Sequence, residues 1–180
     1  GVELAGALKN VIGVAAGNYH GMGLRSDGSI ATWGMCDVEQ CSVPLPNSGY
    51  TAIAAGDSHS VALRPNGSIV VWGMKSDGSI RKWGCFPGSC ELPSPNTGFI
   101  AIATHYSHSP AVRADGSIVA WGNNDFGQLD VPAPNTGFVA VAAGDQFSIG
   151  LKSDGSIAMW GQYDTSYVPV PNAGFTAITA

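Results

Sequence analysis

Residues 46–73 read PNSGYTAIAAGDSHSVALRPNGSIVVWG, and this stretch recurs with few changes at 95–122 and 134–161. Residues 10–34 match only the later part of this stretch and form a first unit. Residues 171–180 repeat only the opening of the stretch, as PNAGFTAITA. The aligned Trp-Gly pairs lie 39, 49 and 39 residues apart. A period of this length is typical of repeat proteins, in which each unit covers the apolar face of its neighbour.

Each unit divides into three short segments that read as strands. The first carries one branched residue among alanines, and the second ends in an Asp-Gly or Asn-Gly pair. Because both residues of such a pair tolerate positive φ angles, the pair predicts a tight hairpin turn into the third strand. No window keeps an apolar period of 3.6 residues, so the sequence predicts essentially no helix.

Residue size within a unit favours a propeller. The small residues of the first strand suit a crowded position near an axis, and the large Ile and Trp of the third suit a wider periphery. A parallel β-helix is the alternative, but its coils are usually shorter and lack a hairpin in each repeat. We therefore predict an all-β propeller, or a propeller arc, of about four three-stranded blades in one domain. The predicted units are 10–46, 47–95, 96–134 and 135–171, with 172–180 as the first strand of a further unit.

The long middle interval contains an insertion. A fifth Trp-Gly pair begins at Trp83, 11 residues after Trp72, and GSIRKWG there copies GSIVVWG. The sequence therefore predicts that Ser79 to Trp83 add a fourth strand to the second blade, while the other blades have three.

The pattern AIAAGDSHSVAL followed by NGSIVVWG, with NNDFGQLDVP in the third unit, resembles the regulator-of-chromosome-condensation repeat superfamily. The short period, the three strands and the proline-rich linkers are most similar to its β-lactamase inhibitory protein type II branch. The resemblance implies seven blades, whereas this sequence shows four full units, so we expect either further chain or an assembly of several copies. It implies little about function, because such propellers serve as exchange factors, inhibitors and adhesion scaffolds alike.

Composition narrows the classes of function. Eight Lys and Arg against 13 Asp and Glu give a net charge of -5 without any basic cluster, so we expect no nucleic-acid partner. No apolar run approaches the roughly 18 residues that span a bilayer. The first residues also lack the basic and apolar regions of a signal peptide. We expect a soluble chain without a membrane span.

The histidines are the first candidates for chemistry. Equivalent positions on adjacent blades lie too far apart to share a metal ion at about 2 Å, so we expect structural hydrogen bonds instead. A triad of Asp57, Ser58 and His59 fails because adjacent turn residues do not converge on one substrate atom. The sequence thus predicts no enzyme activity, no metal and no cofactor. One repeat position holds His20, His59 and His108, with Phe147 in the fourth unit.

Four cysteines lie in loops that follow Trp-Gly pairs. Cys36 and Cys41 have the same spacing as Cys85 and Cys90. An even count in exposed loops favours two local disulfides, Cys36 with Cys41 and Cys85 with Cys90, and hence an extracellular or cell-surface location. A zinc site of four cysteines is the alternative, although the spacing is not the usual C-x2-C.

Strand direction predicts where a partner binds. Because alternate strands run in opposite directions, the Gly-x-x-His turns and the loops after Trp-Gly share one face, and the opposite face carries repetitive Asp-Gly-Ser turns. Residues that vary between matching repeats are free of packing demands, and aromatic residues commonly anchor interfaces. We predict binding through Tyr19, Asp57, His105, Tyr106, Asp125, Phe126, Asp145 and Tyr163.

These observations favour a non-enzymatic, secreted or surface-exposed protein-interaction module. A carbohydrate-binding adhesin that uses the loop aromatics is one alternative. A structural protein that associates with its own copies through open blade ends, or through the strand Phe175 to Ala180, is another. A nuclear exchange factor is disfavoured by the acidic charge and the predicted disulfides.

Overall fold

The computed structural model describes residues 10–37, 39–57, 59–73, 93–105 and 108–180. Within these ranges, twelve strands form four antiparallel sheets of three strands, and each sheet takes its strands from one repeat unit. The predicted arc of three-stranded blades is therefore confirmed. The helical structure in the same ranges is one 3-10 turn, Thr165–Tyr167, and no helix there is long and apolar enough to cross a membrane.

Each blade is a meander whose second strand pairs with both of the others. The strands of the first two blades are β1 (Val11–Ala16), β2 (His20–Arg25), β3 (Ile30–Gly34), β4 (Ala52–Ala55), β5 (His59–Leu63) and β6 (Ile69–Gly73). Those of the third and fourth blades are β7 (Phe99–Ile102), β8 (His108–Arg113), β9 (Ile118–Gly122), β10 (Phe138–Ala143), β11 (Phe147–Lys152) and β12 (Ile157–Gly161). The first strands follow one another as neighbours, which places the blades side by side in chain order.

The predicted hairpin turns form by two local devices. Asp27 Oδ1 accepts a hydrogen bond of 2.8 Å from the backbone N–H of Ser29, and Gly28 has a φ angle of 76° that favours glycine. A Cβ atom at Gly28 would also lie 2.7 Å from the backbone nitrogen of Gly49, in the connector to the next blade. The turn therefore requires glycine both for its conformation and for this close approach.

One asparagine fixes each connector between blades. Asn135 Oδ1 accepts a hydrogen bond of 2.7 Å from the N–H of Ile118, and its Nδ2 donates one of 2.8 Å to the carbonyl oxygen of the same residue. The side chain thus pairs with the first residue of the third strand as another strand would. The same two bonds join Asn47 to Ile30, Asn96 to Ile69 and Asn172 to Ile157.

The apolar cores lie between blades. Met22 and Leu24 of the first blade pack in one cluster with Trp72 of the second. In the same way, Val112 of the third blade packs with Trp160 of the fourth. Because each sheet has only three strands, most of the buried apolar surface lies between neighbouring blades.

The basic residues before the hairpin turns do more than end the strands. The guanidinium of Arg64 lies 5.6 Å from the centre of the Tyr50 ring, and that of Arg113 lies 5.2 Å from the centre of Phe99. These are cation–π distances, so each of the two arginines packs on an aromatic ring.

Two sequence predictions remain to be placed. The fourth strand at Ser79 to Trp83 lies outside the described residues. No strand is assigned to residues 172–180, although Phe175 donates a backbone hydrogen bond of 3.0 Å to Gly155. A strand needs a ladder partner, and no described strand pairs with this segment, so its role as the first strand of a further unit stays a prediction.

Candidate binding face

The two loop families predicted to share a face are joined directly. In the first blade the N–H of Met35, just after Trp-Gly, donates a hydrogen bond of 2.8 Å to the carbonyl oxygen of Tyr19 in the Gly-x-x-His turn. In the fourth blade Gln162 donates one of 2.9 Å to Gln146. We call the surface formed by these turns and loops the loop face, and the opposite one, with the Asp-Gly turns, the hairpin face.

The glycine of Trp-Gly permits this contact. Gly34 has a φ angle of 107°, and a Cβ atom there would lie 2.6 Å from the carbonyl oxygen of Tyr19. Gly161 repeats the conformation at 109°, with the oxygen of Gln146 at 2.5 Å. Any side chain at either position would therefore push the loop away from the turn.

The repeat histidines join neighbouring blades beneath the loop face. His20 Nε2 lies 2.8 Å from the hydroxyl of Ser60 in the next blade, and His108 Nε2 lies 2.9 Å from that of Ser148. His59 lies 2.6 Å from the hydroxyl of Thr104 in the same manner. The histidines thus make the structural hydrogen bonds expected of them.

Burial keeps these imidazoles neutral. Burial is the main cause that lowers the pKa of His59 to about 4; the neighbouring His20 and His108 contribute to the shift, and Asp57 opposes it. Burial likewise lowers the pKa of His108 to about 4, helped by His105 and opposed by the backbone of Phe147 and by Asp145. At neutral pH both side chains therefore form hydrogen bonds without carrying a charge.

Two buried glutamines complete the contacts between blades, and the sequence reading missed both. The backbone oxygen of Gln40 accepts hydrogen bonds from the Ser60 hydroxyl, at 2.8 Å, and from the Trp72 indole, at 2.9 Å. Gln128 accepts from Ser148 and Trp160 at 3.1 and 3.0 Å. The sequence could have indicated them by their matching positions, since each glutamine lies seven residues after the Trp of its unit and three before Val-Pro.

His105 departs from the expected exposed turn. It is half-buried and stands where the other units have glycine. At the equivalent Gly56, an added Cβ atom would lie 2.3 Å from the ring of His59. Its backbone instead forms a bridge with His108, with both N–H to O distances at 3.2 Å. The Nδ1 atom of His105 is buried and has no hydrogen-bond partner. A ligand-facing role for this residue remains a prediction.

Three of the four predicted aromatic anchors are described, and all three are exposed. Tyr19 is 53% exposed, Phe126 46% and Tyr163 37%. The remaining one, Tyr106, lies outside the described residues. Exposed aromatic rings on separate blades are available for contact with a partner without disturbing the cores.

The fourth blade carries an aromatic cluster that sequence reasoning found only in part. The ring of Tyr163 makes edge contacts with Phe147, at 5.4 Å between centres, and with Tyr167, at 5.2 Å. Tyr167 is 68% exposed and was not among the predicted anchors. The sequence held a signal for Tyr167, because the loops of the first and third units have no aromatic residue at the position directly before Val-Pro.

Among the described residues, the basic side chains lie only on the hairpin face, which also carries the turn residues Asp27, Asp115 and Asp154. In the described ranges, every Lys and Arg precedes a hairpin turn, and every charged residue of the turns and loops of the loop face is acidic. Asp57 of the second blade accepts a hydrogen bond of 2.9 Å from Asn18 of the first. Asp125 accepts one of 2.8 Å from Asn123. The acids of the loop face are Asp37, Glu39, Asp57, Asp125, Asp130, Asp145 and Asp164.

A groove separates the loops of the third and fourth blades. It has a volume of about 520 Å³ and is lined by Met159 and Trp160, with Asp130 and Asp164 beside them. The groove combines apolar surface with two carboxylates, which suits a ligand that has an aliphatic stem and a cationic end.

The loop of the first blade is closed by a disulfide. Cys36 and Cys41 are bonded, with their Cα atoms 5.3 Å apart, so this part of the cysteine prediction is confirmed. The pair formed by Cys85 and Cys90 lies outside the described residues. In the described part of the chain, no three His, Cys, Asp or Glu side chains are grouped to hold a metal ion.

Comparisons with known proteins agree with this architecture. The family model of the regulator of chromosome condensation (RCC1) repeat matches residues 50–79, 99–128 and 138–165. No curated protein sequence matches significantly. The comparisons do not confirm the narrower resemblance to the β-lactamase inhibitory protein type II branch, which stays a prediction.

Solved propellers share the fold. Prp20p from Saccharomyces cerevisiae, described with its binding to Gsp1p and histones, is 21% identical with a TM-score of 0.68, over 84% of this chain and 45% of that one. The ectodomain of the Physcomitrella patens receptor kinase CR4 is 22% identical with a TM-score of 0.68, over 94% and 45%. That of the Arabidopsis thaliana receptor kinase ACR4 is 24% identical with a TM-score of 0.65, over 90% and 54%. The chain thus spans about half the length of these structures.

Proposed function

Since the chain belongs to the RCC1-like repeat superfamily, we propose that it is a non-enzymatic protein-interaction module that binds a basic protein surface through its loop face. The acidic character of the described loop face carries this proposal. Seven carboxylates without a Lys or Arg among the described loop-face residues attract a cationic partner and repel an acidic one.

The arrangement of side chains supports a protein partner. Tyr19, Phe126 and Tyr163 supply exposed aromatic surface on three different blades, and the acids lie around them. Aromatic anchors surrounded by charges that select the partner are a common interface design. The Cys36–Cys41 disulfide supports an extracellular or cell-surface location, because disulfides persist in oxidising environments.

Arrays of synthetic peptides and glycans test the proposal. We expect the protein to bind peptides rich in Lys and Arg and to ignore acidic peptides of equal length. Binding should weaken as salt is raised, because exposed charges are screened. Equal binding to acidic peptides, or no salt dependence, would contradict the proposed role of the acids.

A carbohydrate-binding adhesin is the second candidate. The aromatic cluster of Phe147, Tyr163 and Tyr167 favours it, because exposed rings can stack on the apolar faces of sugars. Binding to glycans without binding to any peptide would select this alternative. Loss of that binding in a Tyr167→Ala variant would locate the site.

A further inference from the structure

The groove between the third and fourth blades is built from two loops of the loop face and one strand. It has a volume of about 520 Å³ and is open to solvent rather than enclosed. An enclosed pocket suits a small molecule, whereas an open groove suits a side chain presented on the surface of another protein. The lining residues that matter here are Gly127 and Asp130 after β9, Met159 and Trp160 in β12, and Asp164 and Ser166 after β12.

The apolar surface of the groove comes from β12. Trp160 is only 5% exposed, and its indole Nε1 donates a hydrogen bond of 3.0 Å to the backbone oxygen of Gln128, which fixes the ring. Met159 beside it is half-buried, whereas Val71, at the same position of the second blade, is 4% exposed. The fourth blade thus leaves apolar surface partly uncovered where the second blade covers it.

Asp130 places one carboxylate oxygen at the groove. Its Oδ1 accepts a hydrogen bond of 3.0 Å from the side chain of Asn124, which in turn accepts one of 2.8 Å from the N–H of Leu129. This oxygen therefore helps to hold the loop. The other oxygen, Oδ2, faces Gly127, where an added Cβ atom would lie 3.3 Å from it. No described residue donates a hydrogen bond to Oδ2, so it is available to a ligand.

Asp164 offers a second oxygen in the same way. Its Oδ1 accepts hydrogen bonds from the backbone N–H of Ser166, at 2.9 Å, and from the Ser166 hydroxyl, at 2.5 Å. These bonds lower the pKa of Asp164, so its carboxylate is charged at neutral pH. Its Oδ2 accepts no hydrogen bond from the described part of the chain. Neither Asp130 nor Asp164 is paired with a described Lys or Arg, because those side chains lie on the hairpin face.

Two single oxygens on separate side chains favour one kind of cation. A guanidinium binds best when two of its N–H groups meet both oxygens of one carboxylate. One oxygen of each carboxylate is already engaged here, which disfavours that arrangement. An ammonium has three donors that reach separate acceptors, and the stem of lysine packs along apolar surface. The groove therefore fits lysine better than arginine.

The equivalent loop of the first blade lacks this carboxylate. Asp130 lies nine residues after Trp121, and Ser42 stands at the same distance after Trp33. The loops otherwise hold their blades together in the same way, through the backbone of a buried glutamine. Packing of the blades therefore does not require an acid at this position.

We propose that the groove binds one lysine side chain of the protein partner. The stem lies against Met159 and Trp160. The ammonium donates hydrogen bonds to Oδ2 of Asp130 and to Oδ2 of Asp164. This inference rests on the proposed function, since it names the side chain by which a basic partner is recognised on one part of the loop face.

A blocked amino acid tests the groove directly. In an NMR titration with Nα-acetyl-lysine methylamide, the indole N–H signal of Trp160 should shift and saturate, with a Kd on the order of millimolar because one side chain makes few contacts. The norleucine compound has the stem without the charge and should cause no saturable shift. The arginine compound should bind about threefold more weakly. Equal binding of the lysine and arginine compounds, or no shift with lysine, would overturn the proposal.

Isosteric substitutions separate charge from structure. Asp130→Asn and Asp164→Asn keep an oxygen for the bonds from Asn124 and Ser166 but remove the charge. Each should weaken binding of the lysine compound about fivefold, without a change in melting temperature. Asp154→Asn is the matched control, because Asp154 accepts the same two bonds from Ser156 on the hairpin face. Equal weakening by Asp154→Asn would show that net charge, and not the groove, attracts lysine.

The peptide array distinguishes this inference from the proposed function. If the double variant Asp130→Asn, Asp164→Asn binds Lys-rich peptides as tightly as the wild type, the groove is not the lysine site, although the loop face binds basic peptides. If the wild type binds the lysine compound in the groove but no basic peptide, the groove stands and the proposed function is wrong.

Discussion

Asn135 shows how one side chain can hold a blade in place. Its amide donates to and accepts from the same residue, Ile118, so both atoms of the side chain are committed. In Asn135→Asp the donor becomes an oxygen that faces a carbonyl oxygen. We expect a loss of about 1–3 kcal/mol in the free energy of unfolding, measured by urea denaturation at pH 7.

Thr136→Asp is the matched control for that substitution. It introduces the same carboxylate one residue along, on a side chain that is exposed. Its effect should stay within about 0.5 kcal/mol. Equal losses in the two variants would show that the charge, and not the lost donor, is responsible.

The buried histidines predict a pH dependence of stability at the residue scale. His59 and His108 have folded pKa values of about 4 against 6.5 when unfolded, so the unfolded chain binds more protons between these values. The free energy of unfolding should therefore fall as pH is lowered through this window, by about 2 kcal/mol for each histidine at pH 5. The turn residue Asp115 does not contribute here, because its hydrogen bonds with Ser117 lower its pKa below 3.8.

His108→Gln separates this effect from general acid sensitivity. Glutamine cannot titrate, and its amide can still bond to the hydroxyl of Ser148. Urea unfolding at pH 7 and pH 5 should show a smaller difference in this variant than in the wild type. Unchanged pH dependence would mean that His108 does not titrate with folding.

At the scale of one element, the loop from Cys36 to Cys41 positions Gln40, whose backbone serves the second blade. Closing so short a loop should contribute about 2 kcal/mol to stability. Intact-mass measurement should show a gain of about 2 Da on reduction for each disulfide, and the Cys36→Ser, Cys41→Ser variant should unfold more easily. Four alkylatable thiols before reduction would contradict both the disulfide and the extracellular proposal.

The elements were predictable where their signals are local. The Asp-Gly pairs fix each hairpin through the conformation of residues such as Gly28, and the alternation around them fixes the strands. The contacts between blades were harder to predict from the sequence. The functional group of Gln40 is a backbone oxygen, which every residue has, so only the blade geometry shows where it points. The edge contact of Tyr163 with Tyr167 likewise depends on the shape of a loop.

At the scale of the whole molecule, the sequence predicted the loop face through strand direction alone, and Tyr19 and Phe126 are exposed on it. The acidic character of the loop face was missed. Nothing in the sequence reading showed that the loop face would hold only acids among its described charged residues. This character emerges only when equivalent turns, 39 or 49 residues apart in the sequence, are brought to one side.

The affinity of the strongest basic peptide from the array tests the central claim, that the loop face binds a protein partner. Phe126→Ala should weaken binding at least fivefold, equivalent to about 1 kcal/mol, with an unchanged melting temperature. Leu45→Ala is the control, because Leu45 is 88% exposed but lies in a connector. If Leu45→Ala weakens binding and Phe126→Ala does not, the partner binds elsewhere and the claim is wrong.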